Sequence, residues 1–241
     1  MAEAVNDVRS HQLGLLTSSS DPILIDSVAE AGMDFLWLDA EYTGLSAIAA
    51  SHVVHRLSGR GVSTLIRVPT IDPDSLVTFA NMGVDEIVLP RVRTVDQIQR
   101  AWTCLTYPPR GERPRQVIPA SAWGARYDRQ PQISMIVETL DAVRALPQIF
   151  DTNHLSSYWI GHKDLLDDYV REFGDKAGFE DFVGEVVETF RLSGVSFGWG
   201  VPEPAEVESV WTAGATRCAL YWDLHLPRHL ARSAASRLER R

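Results

Sequence analysis

STLIRVPTIDPDSLVTFANMGVDEIVLP, residues 63–90, contains a complete strand–helix–strand unit. STLIRVP (63–69) is a short apolar run that carries Arg67 near its end. Asp72 then caps a helix, Pro73 takes its first position and Gly83 ends it, the usual order of start and stop residues. DEIVLP (85–90) is the next apolar run. Outward from this unit the same grammar repeats. Further runs are QLGLLT (12–17), DFLWLDAEY (34–42), ISMIVE (133–138), SSYWIG (156–161), VSFGWG (195–200) and TRCALYWD (216–223). Asp21-Pro22 opens a helix that Gly32 closes, Thr94 caps VDQIQRAWTCL, and PEPAEVESVWTAG ends at Gly214. In VDQIQRAWTCL, Val95, Ile98, Trp102 and Leu105 share one face at helical spacing. Repeated caps between repeated strands predict parallel strands joined by crossover helices. Eight such strands in 241 residues predict an α/β fold, a TIM (β/α)8 barrel, with residues 1–241 as a single domain.

A barrel concentrates its chemistry where strands end. The polar residues at or just after those ends are Asp39, Glu41, Tyr42, Arg67, Glu138, Asp164 and Asp223. Glu138 and Asp164 follow consecutive strands. Two carboxylates brought together repel, and one of them keeps its proton unless a cation intervenes. A divalent, oxygen-seeking ion removes the conflict, so the pair is read as ligands of Mg2+, Mn2+ or Co2+. Arg67 presents a fixed fork suited to a carboxylate or to an enolate oxygen. A metal and an arginine facing one pocket suit the enolate of a 2-oxo acid.

Composition narrows the remaining classes. A net charge of −9 argues against a nucleic-acid partner. No apolar run approaches the length that spans a bilayer. The polar start, MAEAVNDVRSHQ, does not read as a signal peptide, so a cytoplasmic location is expected. Cys104 and Cys218 match neither a zinc pattern nor a disulfide framework and are expected as buried thiols. Only Lys163 and Lys176 could serve lysine chemistry. A Schiff base at Lys163 would give a metal-free aldolase, but Asp164 and Asp167 beside it favour its charged form. Trp199 and Trp222, near strand ends, are expected as core or as pocket walls. Residues 107–131, with five arginines and no periodicity, form a long loop expected to act as a lid or a partner contact. The C-terminal stretch LHLPRHLARSAASRLERR repeats Leu230, Ala234 and Leu238 every four residues, so a helix is expected that closes the barrel or packs on another subunit.

The chain resembles the HpcH/HpaI family of metal-dependent (class II) pyruvate aldolases. The resemblance rests on AGMDFLWLDAEY (31–42), LIRVPTIDPDSLVTFANMGVDEIVLPRVRTVDQ (65–97), YPPRGER (107–113), VET (137–139), GHKDL (161–165) and AGATRCALYWDLHLPRHL (213–230). It implies a phosphoenolpyruvate/pyruvate-type TIM barrel with a divalent metal on Glu138 and Asp164 and a 2-oxo acid bound to that metal. It implies that Arg67 polarises the substrate oxygen, that Glu41 supports the metal's water shell, and that Gly161 and Lys163 border the substrate. It also implies a homo-oligomer, a hexamer or trimer of dimers, with C-terminal helices exchanged between subunits. Four positions depart from the family pattern. Tyr42 stands where the family carries a histidine base paired with the residue here numbered Asp39. His162 and Lys163 replace Pro-Ala before the metal-binding Asp164. Ile136 stands where a family glutamine helps bind substrate.

A phenol is a poor base at neutral pH. The base therefore stays open between a hydroxide on the metal, His162 and Tyr42. The expected activity is a carbon–carbon lyase of aldolase type, acting reversibly on a 2-oxo acid and an aldehyde. One alternative is a decarboxylase, or a decarboxylative bond-forming enzyme, acting on an oxaloacetate-like acid, because loss of CO2 makes the same enolate without a base. The other is a non-catalytic barrel that lost its base.

Overall fold

The computed structural model describes residues 11–221 and 226–238. Eight parallel strands close into a barrel in sequence order. They are β1 (Gln12–Thr17), β2 (Phe35–Asp39), β3 (Ser63–Arg67), β4 (Glu86–Leu89), β5 (Gln132–Val137), β6 (Ser157–Ile160), β7 (Phe197–Val201) and β8 (Arg217–Tyr221). The helices between them are α1 (Pro22–Glu30), α2 (Ala47–Leu57), α3 (Pro73–Ala80), α4 (Val95–Leu105), α5 (Leu140–Asp151), α6 (His162–Phe173), α7 (Phe179–Ser193) and α8 (Val207–Thr212), and α9 (Leu226–Leu238) follows the last strand. Six of the eight predicted runs contain a strand whole; β5 starts one residue before its run and β7 ends one residue after its own. The expected caps also form: the Asp21 carboxylate accepts from the Ile23 and Leu24 amides, and Asp72 accepts from Ser75. Each such cap contributes about 1 kcal/mol of helix stability.

Side chains inside the barrel stack in layers. At the N-terminal end Arg217 pairs with Glu86 at 2.8 Å and donates to Ser157 at 2.7 Å. The Arg217 guanidinium also lies 5.0 Å from the Phe35 ring and 4.9 Å from the Trp159 ring. The middle layer is apolar: Leu16, Trp37, Leu65, Val88, Ile136, Trp159 and Ala219. Asp39, Arg67, Glu138 and Tyr221 lie above it, at the C-terminal end. The second core fills the space between strands and helices, as the two-sided burial of parallel strands requires.

Two expectations, each left with two alternatives, are narrowed here. The loop over 107–131 lies at the N-terminal end of the barrel, beside the ends of α2 and α3, where His55, Met82 and Gly83 share a small cavity with Arg113, Pro119 and Arg129. Arg113 is buried, donates to Asn81 Oδ1 at 3.0 Å and lies over the Tyr107 ring at 4.6 Å. A loop tied down on that face cannot act as a lid over its own barrel's strand ends. Trp199 packs against the outer core rather than the pocket, because Gly198 and Gly200 take the inward positions of β7. Trp222 and Asp223 lie outside the described residues. Cys104 and Cys218 are buried free thiols, as expected.

Candidate active site

A cavity of about 270 Å³ opens at the C-terminal ends of the strands. Register brings its first two polar groups together, because Asp39 and Arg67 are opposite each other on β2 and β3. Arg67 Nε donates to Asp39 Oδ1 at 2.8 Å and Nη2 to Oδ2 at 2.5 Å, a bidentate pair. Its Nη1 lies 2.9 Å from Glu41 Oε2. Asp39 also accepts from the Glu41 amide at 3.0 Å. Three of the guanidinium's five N–H groups are thus engaged, which leaves two for a ligand. Burial opposes the charge on Arg67, but Asp39, Glu41 and Glu138 outweigh it and raise its pKa.

Glu41 is buried between two arginines, with Arg91 Nε 3.0 Å from its Oε1. Burial nevertheless raises its pKa above the usual carboxylate value, against the pull of Arg67 and Arg91. Glu138, one residue past β5, is 3% exposed. Its Oε1 accepts from the Arg91 backbone amide. Burial, reinforced by the charges of Glu41 and Asp164, pushes its pKa up to about 7 despite that bond and Arg67. Asp164 stands in the first turn of α6 and is more exposed. Gly161, between β6 and α6, is where Glu138 needs space. A Cβ there would lie 2.7 Å from Glu138 Cβ and 2.8 Å from Ile136 Cγ2.

The structure brings Asp39, Arg67, Glu138, Gly161, His162, Lys163 and Asp164 to one cavity. His162 and Lys163 are exposed on its rim, and the His162 ring packs edge-on against Phe179 at 5.6 Å. Tyr42 is placed differently from the expectation. Its backbone is left-handed at φ 60° and its side chain is 83% exposed. It leans on Arg91, whose guanidinium lies 5.5 Å from its ring, in a second cleft shared with Glu41, Glu138 and Asp164. Asp39 forms its ion pair with Arg67.

Two participants were not singled out from sequence. Arg91, also left-handed at φ 52°, supplies both its guanidinium to Glu41 and its amide to Glu138. Non-glycine residues in this conformation cluster at functional sites. Tyr221 ends β8 with its ring in the cavity wall. Alternation along TRCALYWD, with Arg217 and Ala219 inward, is the signal that marks it.

Among the described residues no group of three or more histidines, cysteines or carboxylates is arranged to hold a metal. The two-carboxylate set does suit a hard dication. Mg2+ commonly takes one or two protein carboxylates and leaves its other positions to water and substrate. Burial, with a smaller contribution from Glu41 and Asp164, raises the pKa of Glu138, and a cation would favour its ionised form.

The model of a family described as HpcH/HpaI aldolase/citrate lyase matches residues 12–229. The chain is 25% identical over 239 residues to hydroxypyruvate/pyruvate aldolase from Cupriavidus necator (strain H16), covering 95% of this chain and 88% of the relative. It is 26% identical over 167 residues to 4-hydroxy-2-oxo-heptane-1,7-dioate aldolase from Shigella sonnei (strain Ss046), covering 65% of this chain and 63% of that relative, under two thirds of its length. Among solved structures, an HpcH/HpaI aldolase/citrate lyase family protein from Burkholderia cenocepacia J2315 shares the fold at a TM-score of 0.85 and 20% identity, over 95% of both chains. With a family model matched across nearly all of its barrel, this chain belongs to the HpcH/HpaI aldolase/citrate lyase family.

Proposed function

We propose that this protein is a divalent-metal-dependent carbon–carbon lyase that makes and uses the enolate of a pyruvate-like 2-oxo acid. The observation that carries the proposal is the meeting of Arg67, Glu138 and Asp164 in one cavity at the strand ends. Glu138 and Asp164 would hold the cation, which when bound supplies a Lewis acid for the 2-oxo group. Arg67, clamped by Asp39 and Glu41, aims its two remaining N–H groups at the oxygen where negative charge develops. Its position is fixed before substrate arrives, so little reorganisation is needed. Gly161 and Lys163 border the substrate, and the apolar floor of Trp37, Ile136 and Trp159 keeps water away from the carbon side. In aldol cleavage the carbon–carbon bond gives its electron pair to the enolate, and the hydroxyl proton passes to His162 or to water at the cavity rim as the aldehyde leaves.

A decarboxylative variant is favoured by the position of Tyr42. With Tyr42, one of the three candidate bases, outside the cavity, cleavage of an oxaloacetate-like acid has the advantage of reaching the enolate without removing any proton. We also infer a homo-oligomer, since α9 follows the last strand and carries Leu230 at 62% exposed.

The test is to supply oxaloacetate, or pyruvate with simple aldehydes, with and without Mg2+, Mn2+ or Co2+. Turnover that needs the metal supports the lyase. Turnover that survives chelation and is trapped by borohydride at Lys163 would replace it with a Schiff-base enzyme. No turnover together with no metal binding would leave a scaffold. A second result is expected at Gly161. Gly161→Ala should push the Glu138 carboxylate aside and weaken Mn2+ binding by roughly 10–100-fold, the range typical of a ligand that loses its support. Isothermal titration of the purified variant checks this, and wild-type affinity would show that Glu138 is not a ligand.

A further inference from the structure

We propose that the Tyr221 hydroxyl is the acid that protonates the enolate carbon, an inference that rests on the lyase reading above. Tyr221 is the last residue of β8, on the same inward parity as Arg217 and Ala219, and it pairs in register with Leu16 of β1. Across from it, Gly200 of β7 leaves the space that the phenol occupies. A Cβ on residue 200 would lie 2.1 Å from Tyr221 Cε1, 2.6 Å from Cζ and 2.7 Å from the hydroxyl oxygen. The outer end of the ring, hydroxyl included, therefore lies against Gly200. Any side chain there would drive it out. Both residues line the cavity that holds Asp39, Arg67, Glu138 and Asp164.

The other proton carriers are less well placed. Tyr42 is 83% exposed and does not line this cavity, while His162 and Lys163 are exposed at its rim. Tyr221 is the hydroxyl set into the wall itself. Burial raises its pKa, although Arg67 pulls the other way, so the phenol carries its proton at neutral pH. That makes it a donor rather than a base.

The step balances without another reactant. Cleavage of the carbon–carbon bond, by loss of CO2 or of an aldehyde, leaves its electron pair in the enolate of the 2-oxo acid. The enolate C3 takes the Tyr221 proton and forms a C–H bond while the carbonyl C=O is restored. The phenolate then takes a proton from water at the cavity mouth.

Stereochemistry tests this directly. The metal-loaded protein is given 3-methyloxaloacetate in D2O, and the deuterium at C3 of the 2-oxobutanoate product is read after trapping by reduction. The wild-type protein should deliver deuterium to one face. Tyr221→Phe keeps the ring and removes only the hydroxyl, so the enol should leave unprotonated and pick up deuterium in solution as a racemate. Gly200→Ala, which displaces the hydroxyl without removing it, should also lose stereospecificity. A Tyr221→Phe protein that deuterates one face like the wild type would overturn the proposal. So would a Tyr221→Phe protein with no turnover beside a Gly200→Ala protein that keeps full stereospecificity, because the residue would then be structural. If the wild-type protein cleaves no 2-oxo acid with any of the three metals, the lyase reading itself falls and takes this assignment with it. A wild-type protein that cleaves but gives a racemic product sinks only the Tyr221 assignment.

Discussion

Glu138→Gln is expected to lower metal-dependent turnover by at least ~10³-fold and, in the same protein freed of metal, to raise stability at pH 8. The first effect follows from losing one of the two proposed ligands. Lewis-acid stabilisation is worth several kcal/mol in the transition state, and each 1.4 kcal/mol is about tenfold in rate. The second follows from the pKa of the buried carboxylate, raised from 4.5 to about 7 by burial and by Glu41 and Asp164. A carboxyl group whose folded pKa lies above its unfolded value favours the fold most when protonated. Its contribution is complete below about pH 4.5 and is lost as pH rises through about 7. By pH 8 the ionised group destabilises the metal-free fold by on the order of 2–3 kcal/mol. Gln carries no charge, and its amide oxygen still accepts from the Arg91 amide. Thermal melts in chelator should therefore show the variant several degrees above the wild type at pH 8 and level with it near pH 4.5. Adding Mn2+ should raise the wild-type melting temperature and leave the variant's unchanged, since a ligand stabilises only the state that binds it. A variant that melts below the wild type at pH 8 in chelator would contradict the proposed electrostatics. A variant that keeps metal-dependent turnover would remove Glu138 from the site.

These opposite signs are the signature of a functional group. A carboxylate selected for stability would be paired and depressed, like Asp26, whose pKa Arg56 and Arg60 lower to about 2 on the surface. Glu138 instead stays in a position that weakens the empty barrel. Asp39 and Glu41 have their arginines, whereas the charges closest to Glu138 include two other carboxylates.

The sequence made the barrel legible because its signals were local and repeated. Asp72-Pro73 and Gly83 bound α3, Asp21-Pro22 bounds α1, and each strand overlaps one of the short apolar runs. It also made the Arg67, Glu138 and Asp164 set legible, because parallel strands bury both faces and a polar residue at a strand end is conspicuous against that background. Side-chain direction was harder to read. Trp199 and Gly200 both occur in VSFGWG, and only the closed barrel shows the glycine turned inward and the tryptophan outward. Tyr42 follows Glu41 directly, but a left-handed backbone at φ 60° turns it away from the cavity. Nothing in residue type announces that conformation for a tyrosine. Residues 107–131 were legible as irregular but not as belonging to the N-terminal face. That placement follows from its position between α4 and β5, since a helix-to-strand connection reaches the N-terminal end of the next strand, and Arg113 then ties it to Asn81.

Arg67→Met is expected to damage both stability and turnover, and Arg67→Lys to separate the two. In the folded protein Arg67 is the guanidinium that Asp39 and Glu41 share, and its charge also acts on Glu138. Methionine fills similar space but leaves buried carboxylates facing one another. Breaking a buried pair by removing one partner typically costs about 3–5 kcal/mol. The loss should depend on pH in a set direction. Without Arg67 the folded pKa values of Glu41 and Glu138, which its charge now lowers, rise further, so stability is kept at low pH, where they carry protons, and is lost as pH rises through those values. The variant should therefore lie close to the wild type near pH 5 and well below it at pH 8 in urea titrations. Lysine restores one positive charge and with it part of the stability at pH 8. It cannot restore the fork, because a single ammonium does not span both Asp39 oxygens and Glu41 Oε2 while also offering two N–H groups to a ligand. Turnover of oxaloacetate by both variants should thus fall by about 10²–10³-fold, the range seen when one preorganised donor to a developing oxyanion is removed. Arg67→Lys with near-wild-type turnover would show that Arg67 acts only as a counter-charge for Asp39 and Glu41. Arg67→Met with wild-type stability at pH 8 would show that Glu41 and Glu138 already carry protons in the folded protein, and the electrostatic account of this site would have to be rebuilt around neutral acids.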